Sequence, residues 1–237
     1  MLARSSYRNS EQARRPDSTF VSSAIIFSMP KRRPTHLEVE IKLSVSDVAS
    51  ITNRLRRLGA RRHPRVLERN ALYDTPTSNF RRSGRLLRLR IETPASGHRR
   101  ALMTSKAPPV AGAARRTRSR YKERLEREVA VATPSRTHHQ LKSIGLRPTF
   151  RYEKYRTEFE LPHLHIALDK TPVGAFLELE GRPAAIDRVA RALGFTSKDY
   201  FRGTYWDLYA ANCRRTGRKP RNMLFPRKNS RNSSLFA

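Results

Sequence analysis

Short acidic runs recur along the chain with one residue between successive carboxylates. The paired positions are Glu38 and Glu40, Glu126 and Glu128, and Glu178 and Glu180. Residues two apart on a β-strand point to the same face, so each pair places two carboxylates side by side. Carboxylates held close together repel one another unless a cation joins them, and oxygen-rich sites suit Mg²⁺ or Mn²⁺. The spacing therefore indicates a divalent-metal site.

Basic residues follow the same alternating spacing. They are Lys42, Arg88 and Arg90, Arg124, and Lys154 and Arg156. Clustered Lys and Arg side chains need an anion, and the guanidinium group of Arg matches phosphate oxygens with a two-pronged fork. A polyphosphate that bridges a metal ion and these basic groups satisfies both demands.

The charged residues lie on runs that alternate polar and apolar positions, which is the period of β-strands. We predict eight strands, at 37–43, 66–74, 85–92, 99–106, 120–130, 150–160, 164–170 and 175–181. Three helices are predicted at about 46–58, 135–144 and 183–193. The first has Ser46 as its expected N-cap, and the helices end at Gly59, Gly145 and Gly194.

In each strand one face is apolar and the other is charged. For a single strand, a charged face in contact with solvent is the ordinary interpretation. The recurrence of fixed charge types along the chain instead favours a closed barrel, in which the charged faces line a tunnel and the helices cover the apolar outer surface. The predicted fold class is α+β: an eight-stranded antiparallel β-barrel, with the polyphosphate in its tunnel and helices packed outside.

The first strand, Glu38-x-Glu40-x-Lys42, resembles the ExExK signature of CYTH domains, the triphosphate tunnel metalloenzymes. Further segments resemble the family in the same order: Tyr73-Asp74-Thr75, Leu87-Arg88-Leu89-Arg90, Thr104-x-Lys106, Arg124-x-Glu126-x-Glu128, Glu153-Lys154-x-Arg156, Asp169 and Glu178-x-Glu180. The resemblance covers about residues 36–210, and it includes the closing Tyr205-Trp206-Asp207-Leu208-Tyr209.

The resemblance implies roles for individual residues. The metal ligands, direct or through water, would be Glu38, Glu40, Asp169, Glu178 and Glu180, with Glu126 and Glu128 completing the acidic wall. The phosphate-binding residues would be Lys42, Arg88, Arg90, Lys106, Arg124, Lys154 and Arg156, and Lys42 is also the catalytic candidate, as the group that activates water. Tyr73 and Asp74 are expected to be structural.

Two reactions fit this interpretation. A class IV adenylyl cyclase converts ATP to cyclic AMP and pyrophosphate, whereas a triphosphatase hydrolyses tripolyphosphate or thiamine triphosphate.

The chain carries no Walker A motif, no GxSxG and no Gly-rich dinucleotide loop, which argues against P-loop hydrolysis and serine-type acyl transfer. The alternative class is an RNA- or polyphosphate-binding protein, which the formal charge of +30 and the basic ends suggest. The expected partner is a small triphosphate molecule, and a homodimer is a further option.

Charge and patterning also suggest the domain limits. Residues 1–33 hold seven Lys/Arg and two acids and are predicted to be a disordered extension, followed by a CYTH domain at 34–212. Residues 213–237 hold eight Lys/Arg and no acid and are predicted to be a disordered tail.

The lone cysteine, Cys213, suits a reducing compartment, so we expect a cytoplasmic protein. The apolar stretch 21–29 is too short to span a bilayer, which leaves a weak signal peptide or an upstream start as alternatives.

Overall fold

The computed structural model of the protein describes residues 35–109 and 119–226. The predicted N-terminal extension, residues 1–33, and the end of the predicted tail, residues 227–237, lie outside the described residues. None of the helices in the described part is both long enough and apolar enough to cross a membrane.

One antiparallel sheet forms the body of the protein. Its strands are β1 (His36–Val45), β2 (Arg61–Arg62), β3 (Val66–Asp74), β4 (Leu86–Pro94), β5 (Arg100–Ala107), β6 (Lys122–Val131), β7 (Arg147–Leu161), β8 (Leu164–Thr171) and β9 (Gly174–Gly181). Their order is β7-β3-β4-β5-β6-β1-β9-β8, and β8 pairs with β7 to close the sheet. The predicted eight-stranded antiparallel barrel is thus confirmed. The short β2 is an addition beside β7, and two residues are too few to show an alternating pattern.

The helices lie outside the barrel. They are α1 (Val48–Arg57), α2 (Asn79–Arg82), α3 (Pro134–Ser143), α4 (Pro183–Ala192) and α5 (Tyr205–Arg215). The three predicted helices correspond to α1, α3 and α4. The predicted cap of α1 was wrong by one residue, because Asp47 and not Ser46 accepts the Ser50 N–H at 2.9 Å. The segments α2 and α5 were not predicted as helices, since α2 spans one turn and α5 has no clear apolar period.

The largest hydrophobic core lies between the barrel wall and helices α1 and α4. Its fully buried members include Ile41 and Leu43 of β1, Leu177 and Leu179 of β9, Leu55 of α1 and Ile186 of α4. Burying a side chain of this size contributes about 1.5–3 kcal/mol. Helix α3 covers a second apolar cluster on β3 and β4. Because the apolar faces point outward to the helices, strand alternation turns the charged faces inward.

The connection between β3 and β4 is held by the residue that ends β3. The Asp74 carboxylate accepts backbone N–H groups from Thr75, Phe80 and Arg81 at 2.7, 2.9 and 3.0 Å. Before it, the Tyr73 hydroxyl lies 2.6 Å from Nδ1 of His138, which ties β3 to α3. These contacts fit the structural roles expected for Tyr73 and Asp74.

Folded structure continues beyond residue 212, where the sequence pattern placed the end of the domain. Helix α5 runs to Arg215 and is followed by residues 216–226, the C-terminal strap, whose part from Asn222 to Phe225 lies against β7. Met223 is 1% exposed; its N–H donates to the Arg151 carbonyl at 3.0 Å and its carbonyl accepts the Glu153 N–H at 2.9 Å. Strand β8 pairs with β7 only from Tyr155 onward, so the strap occupies the edge that β8 leaves open. The apolar run 223–225 is only three residues long within a segment rich in Arg and Asn, so the sequence pattern did not reveal this anchor.

The strap is expected to contribute to stability. Met223→Ala removes a buried side chain and should lower the free energy of unfolding by about 2–5 kcal/mol, measured by urea denaturation. The matched control is the neighbouring Leu224→Ala, because Leu224 is 38% exposed and should lose far less. A loss for Met223→Ala as small as that for Leu224→Ala would show that the strap does not stabilise the folded unit.

Candidate active site

The charged faces of the barrel enclose a tunnel of about 470 Å³. Most predicted site residues line it: Glu38, Glu40, Lys42, Arg88, Arg90, Lys106, Glu126, Glu128, Lys154, Arg156, Glu178 and Glu180. Two do not. Asp169 is fully buried beneath the lining residues Lys154, Arg156 and Tyr205, and Arg124 faces a neighbouring cavity. Acids and bases alternate around the tunnel as ion pairs, so they do not form two separate walls.

Lys42 lies between two carboxylates. Its Nζ is 3.0 Å from Oε1 of Glu40 and 3.1 Å from Oε1 of Glu178, and Glu40 also receives Lys122 Nζ at 2.6 Å. Burial lowers the pKa of Lys42, but the negative charges of Glu178 and Glu40 raise it further, so its pKa lies above the ordinary range. Lys42 is therefore a cation here, which suits contact with phosphate oxygens. Water activation by Lys42 stays a prediction.

Asp169 holds two of the predicted phosphate-binding cations. It accepts hydrogen bonds from Lys154 Nζ at 2.9 Å and from Arg156 Nε and Nη2 at 2.8 and 2.6 Å. The Tyr205 hydroxyl, at the start of α5, donates to the same carboxylate at 2.5 Å. Four donors thus converge on Asp169, and together they fix the directions of Lys154 and Arg156. Its predicted role as a metal ligand stays a prediction.

Glu68 of β3 lies at the centre of a second group of cations. Its carboxylate has no exposed surface and lies 3.2 Å from Arg90, 3.4 Å from Lys154 and 3.6 Å from Arg156. Burial raises the pKa of Glu68, but Lys154, Arg156 and Arg90 lower it more, so the carboxylate is ionised. Arg90 also pairs with Glu128 at 2.7 Å.

Glu38, Glu126 and Glu180, here termed the acidic corner, have one lysine among them in the described part of the chain, which pairs with two of the three. Lys106 Nζ lies 2.5 Å from Glu38 and 2.7 Å from Glu126. Burial and the charges of Glu40 and Glu126 raise the pKa of Glu38 despite Lys106. Burial and Glu38 raise the pKa of Glu180 to about 7. The acidic corner therefore holds more negative charge than its surroundings balance.

A divalent metal ion fits the donor set of the acidic corner. Within residues 35–109 and 119–226, no three carboxylate or imidazole groups converge closely enough to hold a metal in the orientations seen. However, Oε2 of Glu38 is buried and has no hydrogen-bond partner among those residues. Hard divalent cations prefer such oxygen ligands, and a bound cation would remove the repulsion that raises these pKa values.

Around Arg88 the tunnel has the opposite imbalance, a positive charge that no described carboxylate pairs with. Arg88 is 9% exposed, and its guanidinium contacts neutral hydroxyl groups, with Nη2 3.2 Å from Thr104 Oγ1 and Nη1 3.5 Å from the Tyr152 hydroxyl. Its Nε has no partner, and no carboxylate of the described residues forms an ion pair with it. A buried charge without a counter-ion is costly, so this part of the tunnel needs an anion.

Several tunnel residues were missed at the level of sequence. Glu68, Glu92, Lys122, Tyr152 and Tyr205 all contribute to the site. Lys122 lies two positions before Arg124 on the same strand, and Glu68 shares a face with Asn70, so strict alternation identifies both. Tyr205 comes from a helix, and alternation along strands gives no signal for it.

Comparison with known proteins agrees with this geometry. The CYTH domain model matches residues 36–205. No curated protein matches the chain. A protein from Pyrococcus horikoshii OT3 is similar, with a TM-score of 0.62 and 23% identity over 74% of this chain and 99% of that one.

Two further solved structures are described as candidate adenylate cyclases. The one from Vibrio parahaemolyticus has a TM-score of 0.60 and 18% identity over 74% of this chain and 98% of that one. The one from Bacillus halodurans has a TM-score of 0.51 and 14% identity over 74% and 98%. At these identities the likeness shows the fold. The family match spans most of the chain and confirms the resemblance found in the sequence, and the chain belongs to the CYTH domain family.

Proposed function

We propose that the protein is a divalent-metal-dependent enzyme that acts on a triphosphate inside the barrel. The proposal rests on one observation: the same tunnel contains an unpaired positive charge and a separate excess of negative charge. Among the described residues Arg88 lacks a counter-anion, and the three carboxylates of the acidic corner have one lysine, Lys106, among them. A metal-bound polyphosphate supplies both charges at once.

The phosphate chain would lie along the cations of the tunnel. Arg88, Lys106 and Lys122 have their charged groups in the lining, and Lys154 and Arg156 are held in place by Asp169. Arg binds phosphate oxygens with paired hydrogen bonds, and Lys contributes a point charge. Positioning and charge neutralisation are the main requirements of phosphoryl chemistry, and this chain provides both.

Glu38, Glu126 and Glu180 would hold Mg²⁺ or Mn²⁺, with Glu40 and Glu178 beside them. When bound, the metal ion polarises phosphoryl oxygens and offsets their negative charge. The chain's own cations stabilise the charge that accumulates on the departing phosphate group. The barrel wall limits the access of water.

Two reactions remain within the proposal, and the nucleophile separates them. Attack of water on the γ-phosphorus releases orthophosphate, whereas attack of a ribose 3′-hydroxyl on the α-phosphorus forms a cyclic ester and releases pyrophosphate. The descriptions of the Vibrio and Bacillus proteins support the cyclase, and the resemblance of the motifs supports the triphosphatase equally.

The test is turnover of ATP, tripolyphosphate and thiamine triphosphate, each supplied separately with Mg²⁺ or Mn²⁺ and with product identification. Cyclic AMP with pyrophosphate identifies a cyclase, and orthophosphate identifies a triphosphatase. If nothing is turned over and an RNA gel shift persists in EDTA, the nucleic-acid-binding alternative is favoured. Exposed cations near the C-terminus would support that alternative: Arg214, Arg215, Arg218, Lys219 and Arg221.

Glu38→Gln and Glu180→Gln are expected to weaken metal binding. Each keeps the side-chain shape but removes a negative charge, so activity should fall at least about tenfold and excess Mn²⁺ should restore part of it. Calorimetric Mn²⁺ titration of the substrate-free protein gives a readout independent of turnover. Glu123→Gln, on the outer face of β6, is the matched control. Unchanged Mn²⁺ affinity in both tunnel variants would refute the metal assignment.

Arg88→Ala is expected to weaken phosphate binding. Loss of a charge-assisted contact should raise KM for a triphosphate about tenfold or more, and excess metal should not restore it. Since no described carboxylate pairs with Arg88, its removal leaves no orphaned acid, so the midpoint of thermal unfolding should not fall. Arg69→Ala is the control, because Arg69 lies on the outer face of β3 beside Glu153. A large loss of stability with unchanged KM would assign Arg88 a structural role.

A further inference from the structure

The outer surface of the barrel contains a mostly apolar cavity, the outer groove, over β4, β5 and β6. It has a volume of about 420 Å³, and its apolar lining includes Phe80, Leu87, Ala107 and Leu125. The three strand residues of this set point away from the tunnel, because alternation along each strand turns their neighbours into it: Arg88, Lys106 and Glu126. The outer groove is therefore separate from the space that a triphosphate would occupy.

The outer groove lies where the helical layer of the barrel is incomplete. Apart from the one-turn α2, the helices of the described residues pack elsewhere: α1 and α4 over β1 and β9, and α3 over β3 and β4. Beside the groove, Leu37 of β1 pairs with Leu125 across the strands and is 49% exposed. A contiguous apolar surface of this kind indicates a site of contact with another segment or another molecule.

The N-terminal extension joins the barrel at the edge of the outer groove. Thr35, the first described residue, lines the groove, and its Oγ1 accepts a hydrogen bond from Nε of Arg127 at 3.2 Å. The residues that precede Thr35 therefore start from this position on the outer surface.

The extension contains an apolar run close to this point. It is the apolar stretch 21–29, whose apolar residues are Val21, Ala24, Ile25, Ile26, Phe27 and Met29. Six residue steps separate Met29 from Thr35, and an extended chain covers at most about 3.6 Å per step, or about 22 Å in all. This short tether holds the stretch beside the groove at a high effective concentration.

Charge favours the apolar stretch over a second copy of the protein as the occupant. Arg85 and Arg127 are exposed at the groove, and neither forms an ion pair with a carboxylate of the described residues. A two-fold contact through this surface would bring the same arginines of two copies together, and their repulsion opposes it. The stretch itself is uncharged, and an acid, Asp17, precedes it.

We propose that the apolar stretch 21–29 binds in the outer groove and forms the cover that β5 and β6 otherwise lack. Binding removes apolar side chains of the stretch and of the groove from water, which is the driving force for the contact. The bound stretch contacts only the outer wall, so its binding is independent of the reaction in the tunnel.

Hydrogen–deuterium exchange of the full chain tests the contact. Amide groups of residues 21–29 should exchange at least about tenfold more slowly than those of residues 2–12, because exchange then requires release of the stretch from the groove. Equal exchange in the two parts of the extension would overturn the proposal.

A double variant, Ile25→Ser with Ile26→Ser, should release the stretch because it removes two aliphatic side chains from the contact. The slow exchange should be lost, and the midpoint of thermal unfolding should fall by about 2–4 °C. The matched control, Leu2→Ser with Ala3→Ser, makes the same kind of change outside the stretch and should leave both measurements unaltered. Identical results for the two double variants would contradict the proposal.

Ser105→Arg tests the groove itself, because Ser105 is exposed and lines it. A long cationic side chain at this position obstructs the groove without removing a residue of the hydrophobic core, so residues 21–29 should exchange faster. Ser143→Arg, which changes an exposed serine at the end of α3, is the control and should have no effect. Slow exchange that persists in Ser105→Arg would place the stretch elsewhere and overturn the assignment to the groove.

Other occupants of the outer groove would give different results, and each of them would overturn the proposal. A dimer in sedimentation that Ser105→Arg dissociates, with fast exchange at residues 21–29, would assign the groove to a second copy. Slow exchange at residues 110–118 that Ser105→Arg abolishes would assign it to the β5–β6 connection. Slow exchange at residues 21–29 that develops only with phosphatidylcholine vesicles would assign the stretch to a lipid surface.

Discussion

The structure depends on the balance of charge in a closed space. Carboxylates and basic groups that leave water must be paired, because an isolated buried ion costs several kcal/mol. In this barrel most of the pairs come from different strands: Lys42 of β1 meets Glu178 of β9, and Arg90 of β4 meets Glu128 of β6. The ion pairs therefore tie together neighbouring strands such as β1 and β9 and also strands such as β4 and β6 that are separated by one other, and they limit what the tunnel can bind.

This requirement also explains why the apolar residues lie outside. A strand has two faces, and once one face is committed to charge in the tunnel the other must supply the hydrophobic core. The core then needs an outer layer, which α1 and α4 provide over β1 and β9. The places where pairing is incomplete, at Arg88 and in the acidic corner, are where ligands gain most from binding.

Strand alternation predicted the barrel and most of the tunnel because period two determines both the face of a residue and its burial. It did not reveal contacts made through other geometry. Tyr205 reaches Asp169 from a helix, and Met223 lies in an apolar run of only three residues within a basic segment. Glu68 was overlooked because Arg69 interrupts the apolar face of β3, so the alternation there is weak. The cap at Asp47 illustrates the usual uncertainty of one residue at helix ends.

The order of the strands has a consequence for how the protein is made. Strand β1 is synthesised early, yet its inward charges, including Lys42, find partners on β9, and the edge of β7 is completed by the strap at Met223. Contacts so distant along the chain make folding slow, since long loops must close before any pairing is gained. Until β9 has been synthesised, Lys42 lacks its partner Glu178 and its charge stays hydrated.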